Sequence, residues 1–178
     1  MSESILCPST RSAIYNSSYW RRSLFGCTLS ALIAEASALR AVGSTAGTFG
    51  RPTRFLCLLL KLHQLRPSAE TLYDFAGHPK LKYLAALALL YIRLTASPRE
   101  VYLTLEQFLA DFRKIRVQNL DASLAVLHMD EFVDRLLTQD TFLGIALPVL
   151  PHRALLEKEG LLEKRVSPLS EMLENADF

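Results

Sequence analysis

Residues 81–94 read L-K-Y-L-A-A-L-A-L-L-Y-I-R-L, and within them Leu84 to Ile92 is nine apolar residues without a break. Lys80, Lys82 and Arg93 stand only at the edges of the run. Such a run is either a buried strand or a helix apolar on every side. Its length and its Ala/Leu-rich, poorly β-branched composition decide for helix. At 1.5 Å per residue it spans roughly 20 Å, too short for a hydrocarbon core of ~30 Å. A helix apolar all round belongs in the middle of a bundle. The expected fold is therefore all-α: one multi-helix domain over residues 1–178, wrapped around a central hydrophobic helix at about 81–95, with no significant β-sheet. Residues 1–10 and 174–178 are expected to fray.

The flanking sequence punctuates this rod with start and stop signals. Thr28 is a candidate N-cap for a helix to about Arg40, with Leu29, Leu32, Ile33, Ala36 and Leu39 on one stripe. Residues 43–50, G-S-T-A-G-T-F-G, lack both the Lys-Ser/Thr of a phosphate loop and G-x-G-x-x-G, and read as a flexible helix-to-helix connection. Pro52 suits the first turn of a helix from Thr53 to about Gln64, and Ser68 opens a shorter one to Ala76. In S-P-R-E, residues 97–100, Ser97 caps, Pro98 takes the first position and Glu100 completes a capping box. That helix is expected to reach about Phe112, with Phe108, Leu109 and Phe112 on its inner face. Residues 113–124 show no convincing period and read as an irregular connector. His128-Met129-Asp130-Glu131 starts another helix with carboxylates in its first turn. Asp140 is a candidate cap for a short helix through Leu147, Arg153 to Glu159 forms one more, and Ser167-Pro168 begins a last turn or two.

Composition narrows the function class. Half of the 178 residues are hydrophobic and 21% are charged, which argues against wholesale disorder. Cys7, Cys27 and Cys57 have no C-x-x-C spacing, pointing to a reducing compartment and away from a disulfide framework or zinc site. The opening M-S-E-S-I-L-C-P lacks the basic-then-apolar pattern of a secretory signal. Residues 1–66 carry eight Lys/Arg against Glu3 and Glu35, a net +6, whereas 67–178 carry twelve against sixteen carboxylates, a net −4. A basic half can meet phosphate or an acidic partner, and scattered solvated arginines would give the same count.

No catalytic constellation emerges. His63, His78, His128 and His152 lack metal-ligand spacing, and Cys57 and His63 fall about 1.7 turns apart on one helix, roughly on opposite faces. No cofactor, metal site, small-molecule substrate or membrane span is expected. Two groups of residues are candidates for contact. In 11–26 (R-S-A-I-Y-N-S-S-Y-W-R-R-S-L-F-G), Tyr19, Trp20, Arg21 and Arg22 could form a base-stacking, phosphate-binding patch for direct RNA contact, or simply anchor the N-terminus to the core. Around the connector, Asp111, Arg113, Lys114 and Arg116 at the end of one helix and His128, Asp130 and Glu131 at the start of another could rim a protein-docking groove. These residues could equally satisfy helix ends and one another.

Several stretches together resemble the pre-mRNA-splicing factor 38 family. Residues 11–26 resemble its I-Y-x-S-x-Y-W-x-x-x-x-F-G opening, and 52–62 (P-T-R-F-L-C-L-L-L-K-L) its P-T-x-F-L-C-L helix. Residues 82–95 resemble K-Y-x-x-x-L-x-x-L-Y-x-R-L-T, 111–116 (D-F-R-K-I-R) resemble D-Y-R-K-I, and 128–137 resemble H-x-D-E-F-I-D-x-L-L. The resemblance runs in order from about Arg11 to Leu173. It implies a nuclear, non-catalytic, all-helical spliceosomal protein of the tri-snRNP, the small-nuclear-ribonucleoprotein assembly, required for spliceosome activation in pre-mRNA splicing. It further implies a hub for other splicing proteins, including a zinc-finger protein and a microfibrillar-associated-protein homologue, docked partly through short helical segments. Arg54 stands where many relatives have Pro, and Ala85 where they have Arg. Residues 1–178 hold no Arg/Ser-rich stretch like the tail of longer relatives, so tail-mediated regulation and RNA contact are not expected of them.

Overall fold

The computed structural model describes residues 5–165. Pro8–Asn16 (α1) and a π-helical turn, Trp20–Leu24, lead into Leu29–Ser37 (α2). Three short strands follow, Val42–Gly43 (β1), Thr45–Ala46 (β2) and Arg51–Pro52 (β3), and then helices Arg54–Leu65 (α3) and Ala69–Ala76 (α4). The apolar rod is Lys82–Thr95 (α5), and Pro98–Leu105 (α6) tightens into a 3-10 turn at Glu106–Ala110. Beyond it come Lys114–Gln118 (β4), Leu124–His128 (β5), Met129–Thr138 (α7), Thr141–Phe142 (β6), Ile145–Ala146 (β7) and Arg153–Lys158 (α8).

The rod is where the sequence puts it. Every residue from Leu84 to Leu94 is buried, and α2, α3, α4, α6 and α7 pack around it. Arg93, the charge within this stretch, is only 3% exposed. Its Nε donates to the Leu136 carbonyl at 2.8 Å and its Nη2 to the Pro148 carbonyl at 2.7 Å. A buried guanidinium is tolerable only when its donors are used, and here they staple the rod to α7 and to the chain after β7. Start signals behave likewise. Thr28, Thr53, Ser68 and Ser97 accept the N–H of Ala31, Leu56, Thr71 and Glu100, each cap contributing about 1 kcal/mol. The Glu100 carboxylate returns a bond to Ser97 N at 3.0 Å, closing the capping box.

The all-α expectation is overturned, because three small sheets stand among the described residues and the fold is mixed α/β. Residues 113–124 do not form an irregular connector. Their K-I-R-V-Q segment alternates, burying Ile115 and Val117 while Lys114 and Arg116 face out. It pairs antiparallel with β5 from Lys114↔His128 to Gln118↔Leu124, and parallel with β1 through Val42↔Val117. The alternation was hidden because β5 is apolar on both faces, so the hairpin as a whole shows no period of two. Its parallel partner also comes from the stretch expected to be a flexible loop. There the chains approach closely at Gly43, where a Cβ would lie 3.2 Å from both Gln118 Cβ and Thr53 Cγ2.

Further boundaries move for local reasons. Pro52 belongs to β3 rather than to a helix start. The helix expected to reach Phe112 ends at Leu105, its 3-10 continuation stops before Asp111, and Phe112 is 70% exposed rather than inward. Asp140 caps no helix, and residues 141–146 form a hairpin whose two-residue turn has φ 49° at Leu143 and 78° at Gly144. Two successive positive φ values make the tight turn that matches strand twist. The helical turn expected at Ser167-Pro168 and the frayed 174–178 end lie outside the described residues.

Candidate functional site

The docking residues read from the sequence fall into two sets once folded. Asp111, Arg113, Asp130, His128 and Glu131 knit the hairpin to α7. The Arg113 guanidinium grips the Asp111 carboxylate, with Nε 2.9 Å from both oxygens and Nη2 2.6 Å from Oδ2. Its Nη1 reaches the carbonyls of His78 and Pro79 at 3.1 and 2.9 Å, tying the hairpin base to the turn before the rod. Burial pushes the Asp111 carboxyl up, but the Arg113 hydrogen bonds outweigh it and hold the group below its ordinary range. The Asp111 carbonyl accepts Asp130 N at 2.9 Å, and the Arg113 carbonyl accepts Met129 N at 3.0 Å, so α7 starts directly on the strand. At that start Glu131 Oε2 accepts His128 N at 2.8 Å, and these bonds from His128 lower the Glu131 pKa. Asp130 is half-buried, with Oδ1 unpartnered among the described residues.

Lys114 and Arg116 remain as surface. Both point outward from β4, and their main chains are held from below: Lys82 Nζ donates to the Lys114 carbonyl, and Arg116 N donates to the Tyr83 hydroxyl at 3.3 Å. Beside them is a depression of about 430 Å³ with Leu39, Ile115 and Val126 as floor and Arg40, Lys82, Lys114 and Arg116 as walls.

The N-terminal candidates are arranged differently from a stacking platform. Trp20 is 5% exposed, edge-on to Tyr15 with centroids 5.1 Å apart. Lys61 Nζ sits 5.7 Å from the Trp20 ring and bonds the Phe25 carbonyl. The Tyr19 hydroxyl donates to Glu35 at 2.8 Å, and Arg54 covers its ring at 5.2 Å. Burial, then Glu35, pushes the Tyr19 pKa well above its usual value. The Trp20 ring is thus buried, and one face of the Tyr19 ring is covered by Arg54. Arg21 and Arg22 are exposed, with Arg21 bonded to Asn16 at 3.2 Å.

One surface was not read from the sequence at all. A groove of about 530 Å³ opens where the end of α3, α4 and α5 meet, floored by Ile5, Leu72, Tyr91, Ile92 and Leu94 and rimmed by His63, Arg66, Tyr73 and Glu100. Burial, then the Arg66 charge, lowers the His63 pKa and favours its neutral form. An apolar floor inside a charged rim is the shape that accepts the apolar face of a short helix. The residues come from four helices and the segment before α1, so no linear pattern could have announced it. Among the described residues no three His, Cys, Asp or Glu side chains converge as metal ligands, and no helix is long and apolar enough to cross a membrane.

Residues 2–160 match the family model described as the PRP38 family. The chain belongs to that family. It is 38% identical over 167 residues to pre-mRNA-splicing factor 38A of Xenopus laevis, covering 94% of this chain and 54% of that protein. It is 38% identical over 165 residues to pre-mRNA-splicing factor 38 of Drosophila melanogaster, covering 93% and 50%. The chain thus spans about half the length of these relatives. Its fold matches a chain of the crystal structure of the Snu23-Prp38-MFAP1(217-258) complex of Chaetomium thermophilum, with a TM-score of 0.89 and 39% identity over 96% of this chain and 90% of that one. The family resemblance drawn from the motifs is correct, whereas the all-helical fold attached to it is not.

Proposed function

We propose that this chain is a non-catalytic protein-docking module of the splicing machinery, acting in the nucleus within the tri-snRNP and serving spliceosome activation. One observation carries the reading: nearly the whole chain shares its fold, at 39% identity, with a chain from a complex of Prp38 with Snu23 and an MFAP1 segment. The partners proposed here are the counterparts of those two proteins, the zinc-finger splicing protein and the microfibrillar-associated-protein homologue. The α3–α4–α5 groove is the site proposed for a short helical segment. Its floor rests on the rod, so the receiving surface keeps its shape without a ligand, and a preorganised groove avoids part of the ordering cost of binding. Direct RNA contact through Tyr19 and Trp20 finds less support, since Trp20 is buried and Tyr19 is bonded to Glu35 and covered on one face by Arg54.

The test is a pull-down from nuclear extract with the intact chain and with Tyr73→Arg, which places a charge in the groove. The wild-type chain is expected to retain the two counterparts, and the variant to lose at least one while folding normally by circular dichroism. Absence of spliceosomal proteins from the wild-type eluate would refute the assignment. Undiminished capture by the variant would refute the groove.

A further inference from the structure

The β1–β4–β5 sheet ends on β5, and the bonding pattern shows which of its groups are spent. Met129 N donates to the Arg113 carbonyl and Asn119 N to the Ser123 carbonyl at either end of the hairpin. Antiparallel bonding alternates along a strand, so Ser123, Ala125, Leu127 and Met129 face β4 and the residues between them face away. His128 N fits this alternation, being turned outward to the Glu131 carboxylate. The N–H and C=O groups of Leu124 and Val126 point off the edge, and no partner meets them among the described residues. Their side chains are 62% and 65% exposed.

Proteins ordinarily protect such an edge with Lys, Pro, a bulge or a covering element. β5 reads L-A-V-L-H and has none of these among the described residues. The charge lies one strand in, where Lys114 and Arg116 flank Val126 with Arg40 and Lys82 beyond, and no carboxylate lines that depression. Of the acids at the hairpin ends, Asp121 holds Ser123 and Glu131 holds His128.

We propose that the free edge of β5 receives an extended, acidic segment of a partner protein, which adds a fourth strand to the sheet. Main-chain bonds to Leu124 and Val126 supply the pairing, apolar side chains of the segment cover those two residues, and its carboxylates meet Lys114 and Arg116. A second copy of the chain fits less well, because two β5 edges paired about Val126 would set two basic faces on one sheet surface. A nucleic acid has phosphates for the cations but no alternating N–H and C=O groups for the edge. The inference rests on the reading of this chain as a docking module, but it concerns a different surface and a different mode of recognition from the helical groove.

The experiment is selection of a displayed library of short random peptides on the intact chain, with binding of the enriched peptides then measured by fluorescence anisotropy. Two variants accompany it. Val126→Pro removes an outward N–H at a position where an edge strand tolerates proline, and Lys114→Glu with Arg116→Glu reverses the charge; circular dichroism checks that both fold. Enriched peptides are expected to alternate acidic and apolar residues, and to bind each variant about tenfold or more weakly. Tyr73→Arg is expected to leave them bound, which separates failure at this edge from failure of the groove. The proposal is overturned if no peptide is enriched, if enriched peptides carry no acidic bias, or if Val126→Pro binds them equally well. It is also overturned if the chain dimerises through this edge, or if an oligouridine binds the basic face with an affinity that Val126→Pro leaves unchanged.

Discussion

The rod and the β4–β5 hairpin are built on opposite terms. In α5 every face from Leu84 to Leu94 is covered by another element, so each side chain answers only to packing. In the hairpin, Ile115, Val117 and Leu127 are buried while Lys114, Arg116, Leu124 and Val126 look out. One face serves the core and leaves the other free for recognition. The difference teaches where to look for a docking surface. A surface that packing does not require, yet keeps apolar and charged residues side by side, is a better candidate than the most apolar stretch.

That comparison can be broken by mutation. The largest effect is expected from Leu87→Ala in the middle of the rod, where Leu87 is fully buried, at about 3–5 kcal/mol of unfolding free energy by urea titration. A loss below about 1 kcal/mol would mean that the rod is not the centre of the core.

Arg113→Met tests the hinge between the two regions, and about 2 kcal/mol should be lost because the Asp111 carboxylate and two carbonyls lose their donor. The pH dependence has a definite sign. A carboxylate held below its ordinary pKa contributes stability above the unfolded-state value and loses it as pH falls through the folded one. The gap between wild type and Arg113→Met should therefore be constant at neutral pH and narrow below about pH 4. A gap that widened in acid would contradict the ion pair.

Gly144→Ala is a smaller perturbation. Gly144 has φ 78° in the β6–β7 turn, and its Cβ would meet only the Leu120 methyls at 3.7 Å. The loss is conformational, about 1 kcal/mol by thermal melt. Smallest of all, Val126→Thr on the open strand should shift stability by no more than about 0.5 kcal/mol. A substantial loss there would show that the outward face of β5 is packed after all.

Those same contrasts decide what could be read in advance. Caps at Thr28, Ser68 and Ser97 were legible because a cap is a local event, settled by a hydroxyl and an N–H three residues on. The order of the middle helices followed from them. The hairpin was not legible, because β5 lacks alternation and β1 lies some seventy positions away from its partner β4, and register between distant strands leaves no mark in either. Trp20 could be read from the sequence as a stacking residue beside Arg21 and Arg22 or as an anchor to the core, and only the fold brings Lys61 and Tyr15 against its ring. Arg113 was read as a possible docking-rim residue, and the structure shows its guanidinium bonded internally to Asp111 and to the His78 carbonyl.

By itself, then, the sequence determined the rod, the helix starts around it and the family, since nine successive apolar residues have only one place to go and the motifs persist in order along the chain. Tertiary structure alone decided that residues 113–128 form a hairpin whose β5 edge is unpaired among the described residues, that four helices and the segment before α1 line a groove, and which cations are spent inside the protein and which face water. The physical reason is range: helix formation and capping are governed by neighbours within four residues, whereas strand pairing, grooves and ion-pair partners are set by residues that meet only after the chain has folded.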